Sequence, residues 1–264
     1  MKPFAYTCLL LAFLLFACKK TVILPLNAVP PQIVIQGEVT DRPGPYSVNI
    51  NQTINFYADN IFPPVPGAVV RLSDNLGNTD SLTETSPGVY TTHTLQGARG
   101  NTYTLSVSVN NKQYNATSVM PEPVMLDSVG FESITAFGQR RISAITYFQD
   151  PAGTQNYYQF KEYINGELFT KDAFVFDDRL SDGKYISNTL RMDSSYLNPG
   201  DQIKVSMYCI DKNVYNYLFQ LQQSSGGGAF NTTASPADPE SNISGGAYGY
   251  FSAHTEQSKN VVVY

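Results

Sequence analysis

The chain has 264 residues, 15% of them charged, and a formal net charge of −5. A mildly acidic chain with no Lys/Arg cluster has little with which to neutralise phosphates, which excludes nucleic acid as an expected partner. With three cysteines and two histidines, it also has few candidates for a disulfide framework, a thiolate metal site or histidine-based acid–base chemistry.

The first residues read as an export signal. Lys2 gives a short positive segment, and Phe4 to Phe16 is an uncharged apolar run. That run is too short to cross a bilayer as a helix. It closes on Leu15-Phe16-Ala17-Cys18, a small residue before a cysteine, which is the pattern of a bacterial lipoprotein signal. The peptidase needs a small side chain beside the scissile bond, and the thiol of Cys18 carries the lipid. Phe16 stands where the strictest form of the pattern has a small residue. The expectation is loss of residues 1–17, lipidation of Cys18, and a lipidated tether over 18–31. Several acyl chains hold a protein durably where one does not, at about 0.8 kcal/mol per buried methylene. Lys19 and Lys20 follow the cysteine with no Asp in second position, so the outer membrane is the expected location, on its periplasmic or its cell-surface face. Removing the leader also takes Lys2, and the mature chain becomes slightly more acidic. Cys8 leaves with it, so Cys209 stands alone and no internal disulfide is expected; stability must come from packing.

Thr21 to Pro31 holds three prolines and almost no charge, as an extended tether would. Beyond it, short alternating segments are separated by Gly, Pro, Asn and Asp, the signature of antiparallel β-sandwiches. Ile33, Ile35, Gly37 and Val39 share one face of a first strand, and Tyr46, Val48 and Ile50 alternate in the second. Ala68, Val70 and Leu72 alternate before the hairpin turn Asp74 to Asn78. Tyr103, Leu105, Val107 and Val109 give the cleanest period of two, and Asn110-Asn111 turns that strand into the next. Met120-Pro121-Glu122-Pro123 reads as a domain boundary, because proline stiffens the chain and removes ladder donors. In the second half Ile142 to Phe148, Tyr158 to Ile164 and Ile203 to Cys209 alternate in turn, with Asn165-Gly166 as a further turn. One helix is expected near 211–223: Asp211 caps it, and Val214, Leu218 and Leu221 fall on one face. Residues 224–245 read as a long loop, and Tyr248 to His254 as a final strand. The fold class is therefore mainly β: two consecutive antiparallel Ig-like or fibronectin-like β-sandwich domains, 32–120 and 121–264, with one short helix in the second.

Sets of catalytic residues are scarce. The chain has no Gly-x-Ser-x-Gly elbow, no His-Glu-x-x-His and no phosphate loop. His93 lies in a Thr-rich strand, where a solvated face is the plain reading, and no catalytic residue is assigned. Cys209 lies on an apolar strand face and reads as a buried structural thiol. Asp177, Asp178 and Asp182 could offer oxygens to calcium, although their spacing is not that of an EF-hand loop, and a solvated acidic turn is the alternative. Tyr157, Tyr163, Tyr248 and Tyr250 could present rigid aromatic area to a partner or a sugar, or simply fill sandwich edges. No cofactor is expected.

Two stretches carry a family resemblance. Pro64 to Val70, Asp74 to Gly77, Pro87-Gly88-Val89-Tyr90 and Tyr103-Thr104-Leu105 together resemble the carboxypeptidase-regulatory-like (transthyretin-like) β-sandwich over roughly residues 32–120. Gly44-Pro45-Tyr46, Pro66-Gly67-Ala68, Glu84 to Tyr90, Cys209-Ile210-Asp211 with Tyr215, and Asn242 to Phe251 resemble the Bacteroidota cell-envelope lipoproteins grouped as domain of unknown function 4249. The second resemblance implies a cell-envelope lipoprotein, often encoded beside a TonB-dependent outer-membrane receptor, and implies no catalytic residues. The expected role is non-catalytic binding in nutrient uptake. The alternative is a structural or adhesive envelope protein with Ig-like spacer domains. Many surface-bound lipoproteins of these bacteria carry acidic residues just after the cysteine, where this chain has Lys19-Lys20.

Overall fold

The computed structural model describes residues 30–55, 61–136, 139–169, 174–190, 197–225 and 238–264. The expected leader, Cys18 and nearly all of the tether lie outside these residues. Pro31–Tyr264 is one compact unit.

The first half is built of hairpins: β1 (Ile33–Thr40) with β2 (Ser47–Gln52), β3 (Val69–Asp74) with β4 (Thr79–Ser81), β5 (Thr83–Ser86) with β6 (Val89–Thr91), and β7 (Thr102–Val109) with β8 (Lys112–Val119). The turn between β7 and β8 has Asn110 and Asn111 at φ 51° and 59°, the left-handed pair that a two-residue hairpin of matching twist requires. The second half supplies β9 (Leu126–Ala136), β10 (Gln139–Gln149), β11 (Tyr157–Ile164), β12 (Glu167–Leu168), β13 (Phe174–Asp177), β14 (Tyr185–Thr189) and β15 (Gln202–Cys209). After them come helix α1 (Lys212–Ser225) and β16 (Tyr248–Val262).

These strands form three sheets. A four-stranded sheet runs β4-β3-β7-β8 and a three-stranded one β14-β10-β9. The nine-stranded sheet runs β12-β11-β15-β16-β1-β2-β6-β5, with β13 also paired to β11. The period-2 pattern of each strand turns one face inward, and two main cores result. Ile35, Val48 and Ile50 pack with Val70, Leu72, Leu105 and Val107 in the first. Tyr158, Phe160, Val205 and Met207 pack with Leu126, Ala144 and Phe148 in the second. The mainly β, sandwich-like class expected from the sequence is what the chain adopts, with one helix among the described residues.

The last strand does not follow the expected plan. It runs to Val262, past His254, and it borders both cores. From Tyr248 to His254 it pairs in parallel with β1, Val34 opposite Tyr248 and Thr40 opposite His254. From Thr255 onward it pairs antiparallel with β15, Cys209 opposite Thr255. Phe251 and Ala253 sit in the first core, and Val263, just past the strand, sits in the second. Ile243 and Ala247, which precede it, also pack into the first core. The proline segment at 120–123 thus separates two cores but not two independent sheets, and the pairing is not antiparallel throughout. Gly249 makes the parallel seam possible: at φ 95°, a Cβ there would lie 2.0 Å from the Ile35 carbonyl oxygen.

Candidate functional site

Strands β11, β15, β16, β1 and β2 turn their apolar residues inward, so the opposite face of the long sheet collects the polar ones. Lys161 is opposite Ser206, Tyr208 opposite Glu256, and Gln36 is flanked by Tyr250 and Asn49. A depression of about 260 Å³ opens here, lined by Gln36, Glu38, Ser47, Asn49, Lys161 and Tyr250. The Lys161 ammonium lies 4.9 Å from the Tyr208 ring centroid, a cation–π contact that holds it against the sheet. His254 is buried on the same strand face as Tyr250. Its Nδ1 shares a hydrogen bond of 3.0 Å with Ser252 Oγ, and its ring meets Tyr208 edge-on at 4.9 Å. Burial, with a smaller push from the Lys161 charge, lowers its pKa to about 3, so the ring is neutral.

Helix α1 covers one end of this face. Asp211 caps it as expected: Oδ1 accepts the backbone N–H groups of Asn213 and Val214 at 2.8 and 3.0 Å. Val214 and Leu218 are buried with Tyr208, Ile210, Tyr215 and Tyr217, and Leu221 packs against them. Two of the four tyrosines singled out in the sequence are half-buried in this contact. Tyr157 meets Tyr215 at 5.0 Å and Tyr250 meets Tyr217 at 5.2 Å. Of the other two, Tyr163 lies 5.2 Å below the Lys204 ammonium, and the Tyr248 hydroxyl donates to Asp238 at 2.9 Å. Of the four, Tyr250 is the one that lines the depression. Glu38, Lys161, Gln36 and Asn49 were missed in the sequence. Their signal was their place at outward positions of alternating strands, which becomes a site only once β1 lies beside β16.

The acidic loop between β13 and β14 divides its three aspartates. Asp177 pairs with Arg179, Oδ1 to Nε at 2.8 Å, and accepts the Tyr215 hydroxyl. Asp178 and Asp182 instead face Asp150, from the end of β10, and one oxygen from each of the three lies within 4.8 Å of the others. Asp150 accepts the Tyr158 hydroxyl and the Gly183 N–H, Asp178 accepts the Asn156 N–H, and Asp182 accepts the Gly153 N–H. Burial, joined by the Asp150 and Asp182 charges, raises the Asp178 pKa. Three such oxygens suit a hard divalent cation, and the same carboxylates clamp two loops together through backbone donors.

Residues 20–260 match the family described as Domain of unknown function (DUF4249). The chain belongs to this family. No curated protein matches this DUF4249 chain. Among solved structures, the Yersinia pseudotuberculosis adhesin InvE is similar over 67% of the chain at 19% identity and a TM-score of 0.22. The match spans 55% of that adhesin chain, a little over half its length.

Among the described residues, His93, Asp80 and Cys209 of the DUF4249 chain each have local partners. Exposed His93 bonds through Nε2 to Thr83 Oγ1 at 2.8 Å, and its backbone N–H donates to Asp80. Asp80 also accepts from the N–H groups of Thr94 and Leu95, which hold its carboxyl below the usual range against the opposing effect of burial. Cys209 is buried as the sequence suggested, its sulfur accepting the Val124 N–H at 3.3 Å, and burial pushes the thiol pKa up.

Proposed function

We propose that this DUF4249 protein is an outer-membrane lipoprotein, anchored through Cys18, that binds rather than catalyses and serves as an accessory partner of a TonB-dependent receptor in nutrient uptake. The observation that carries the binding role is the polar depression on the long sheet, where Glu38 and Lys161 stand on one concave surface. The anchor rests on the Leu15-Phe16-Ala17-Cys18 motif, and the receptor on the family resemblance. Tethering raises the local concentration of a captured ligand at the transporter mouth, so modest affinity suffices. The test is isolation of the tagged full-length protein from native membranes in mild detergent. Co-isolation of a TonB-dependent receptor is the expected result, and its consistent absence overturns the partnership.

A second reading draws on the shared final strand. Two cores joined through one sheet make a stiff unit, which suits a structural or adhesive spacer. A deletion strain that keeps nutrient uptake but loses envelope integrity would favour that reading over the first.

A further inference from the structure

We propose that the depression between Glu38 and Lys161 takes a small zwitterion with the chemistry of an amino acid or short peptide, its carboxylate on Lys161 and its ammonium on Glu38. The inference rests on the binding role above and names the ligand class of that same site.

The unmatched charges carry the argument. Among the described residues the ion pairs are Arg99–Asp41, Arg179–Asp177 and Lys204–Glu256. Glu38 and Lys161 line one depression, yet neither belongs to any of these pairs. Lys161 is also positioned, since its ammonium rests on the Tyr208 ring. A cation held by an aromatic face still has its hydrogen-bond donors to offer, and a carboxylate is the partner that uses them best.

The rest of the lining fits the same class. Gln36 and Asn49 bring amides that donate and accept, and Ser47 brings a hydroxyl. Such groups match a peptide unit, which has one donor and one acceptor. The volume of about 260 Å³ lies just under the range of roughly 300–1,000 Å³ usual for drug-sized ligands, so the occupant is small. His254 is neutral and buried nearby and adds no competing charge.

Other ligand classes fit less well. A neutral sugar could use the amides and the Tyr250 ring, but it would desolvate both charges without compensating either, and uncompensated charge is costly. A simple anion would satisfy Lys161 and face Glu38 unfavourably; a simple cation would do the reverse.

The test is calorimetric titration of the purified full-length lipoprotein in detergent with triglycine. N-acetyl-triglycine amide, which lacks both charges, and maltotriose are titrated in parallel. Triglycine is expected to bind, and the other two are not. Glu38→Gln and Lys161→Met are each expected to weaken triglycine at least ten-fold with unchanged circular dichroism. The charge-exchanged double variant, Glu38→Lys with Lys161→Glu, is expected to recover part of the loss, which a merely misfolded single variant would not allow. Absence of triglycine binding, equal binding of the blocked peptide, preference for maltotriose, or indifference to both single substitutions would each overturn the assignment. Receptor co-isolation is scored separately, so a protein that still brings down its receptor but ignores triglycine rejects the ligand class and leaves the partnership standing.

Discussion

The Ser118 hydroxyl donates to Oδ2 of Asp211, 93 residues further along the chain. The same Asp211 oxygen accepts the Val119 N–H at 3.2 Å, while its other oxygen caps α1. Ser118 Oγ in turn accepts the Ala253 N–H at 2.8 Å. One hydroxyl and one carboxylate thus fasten the end of β8, the start of α1 and the middle of β16 to one another.

Replacing Asp211 with Ala should therefore cost more than an ordinary cap. Loss of the cap alone is worth roughly 0.5–2 kcal/mol, and stranding the Ser118 and Val119 donors adds about 1–3 kcal/mol. Ser118→Ala should cost about 1–3 kcal/mol, because it strands the buried Ala253 N–H. Urea unfolding of both variants and of the double variant checks this. The double should lose less than the sum, since the two residues share a bond.

Glu162 makes stability depend on pH. It faces the second core beside Phe160, is 2% exposed, and among the described residues neither carboxylate oxygen finds a hydrogen-bond partner. Burial raises its pKa from 4.5 to about 7. Below pH 4.5 the group is neutral folded and unfolded, and no ionisation penalty arises. Between 4.5 and about 7 the unfolded chain releases the proton more readily, so stability falls as pH rises. Above that the penalty levels off at about 3 kcal/mol. Glu162→Gln should remove this component of the slope. Unfolding midpoints compared at pH 5 and pH 8 test it: wild type should lose stability across the interval by more than the variant does.

Gly249→Ala should break the seam between β1 and β16. The new methyl would meet the Ile35 carbonyl at 2.0 Å while the backbone sits at φ 95°. A loss above about 3 kcal/mol, or failure to fold, is expected. Gly246→Ala is the control: φ is 80° there, but among the described residues nothing lies within 4 Å of the added carbon, so only the backbone strain of about 1–2 kcal/mol should appear. Thermal melts of the two variants separate the clash from the dihedral cost.

Cys18→Ala should leave the protein unacylated and release it from the membrane fraction. Intact mass of the native product should show residues 1–17 removed and Cys18 carrying lipid. A membrane-bound Cys18→Ala protein would refute the anchor.

Local features were legible in the sequence. The alternation from Tyr103 to Val109 and from Ile203 to Cys209, the Asn110-Asn111 turn, and the Asp211 cap with its Val214, Leu218 and Leu221 stripe all express rules that act over a few residues. What could not be read there was non-local. Thr255 to Asn260 are mostly polar, so nothing in their pattern marks the continuation of β16 alongside β15. The parallel partnership with β1 links residues some two hundred positions apart and leaves no local trace. The acidic loop shows the same limit. Asp177 and Asp178 are adjacent in sequence, but one ends a strand facing Tyr215 while its neighbour turns toward Asp150, which the sequence offered no reason to associate with it. Nothing local singles out Glu38 or Lys161, and only the order of strands in the long sheet sets them around one depression.

The shared last strand bears on how this protein can be divided. A gene truncated at the proline segment would encode an amino-terminal fragment with a raw edge where Tyr248 to His254 should lie, and a core open where Phe251 belongs. The carboxy-terminal piece would carry that same apolar ribbon with nothing to cover it. Recombination at that point, in evolution or in a cloning scheme, would yield two sticky products, so the two halves are expected to be inherited and expressed as one.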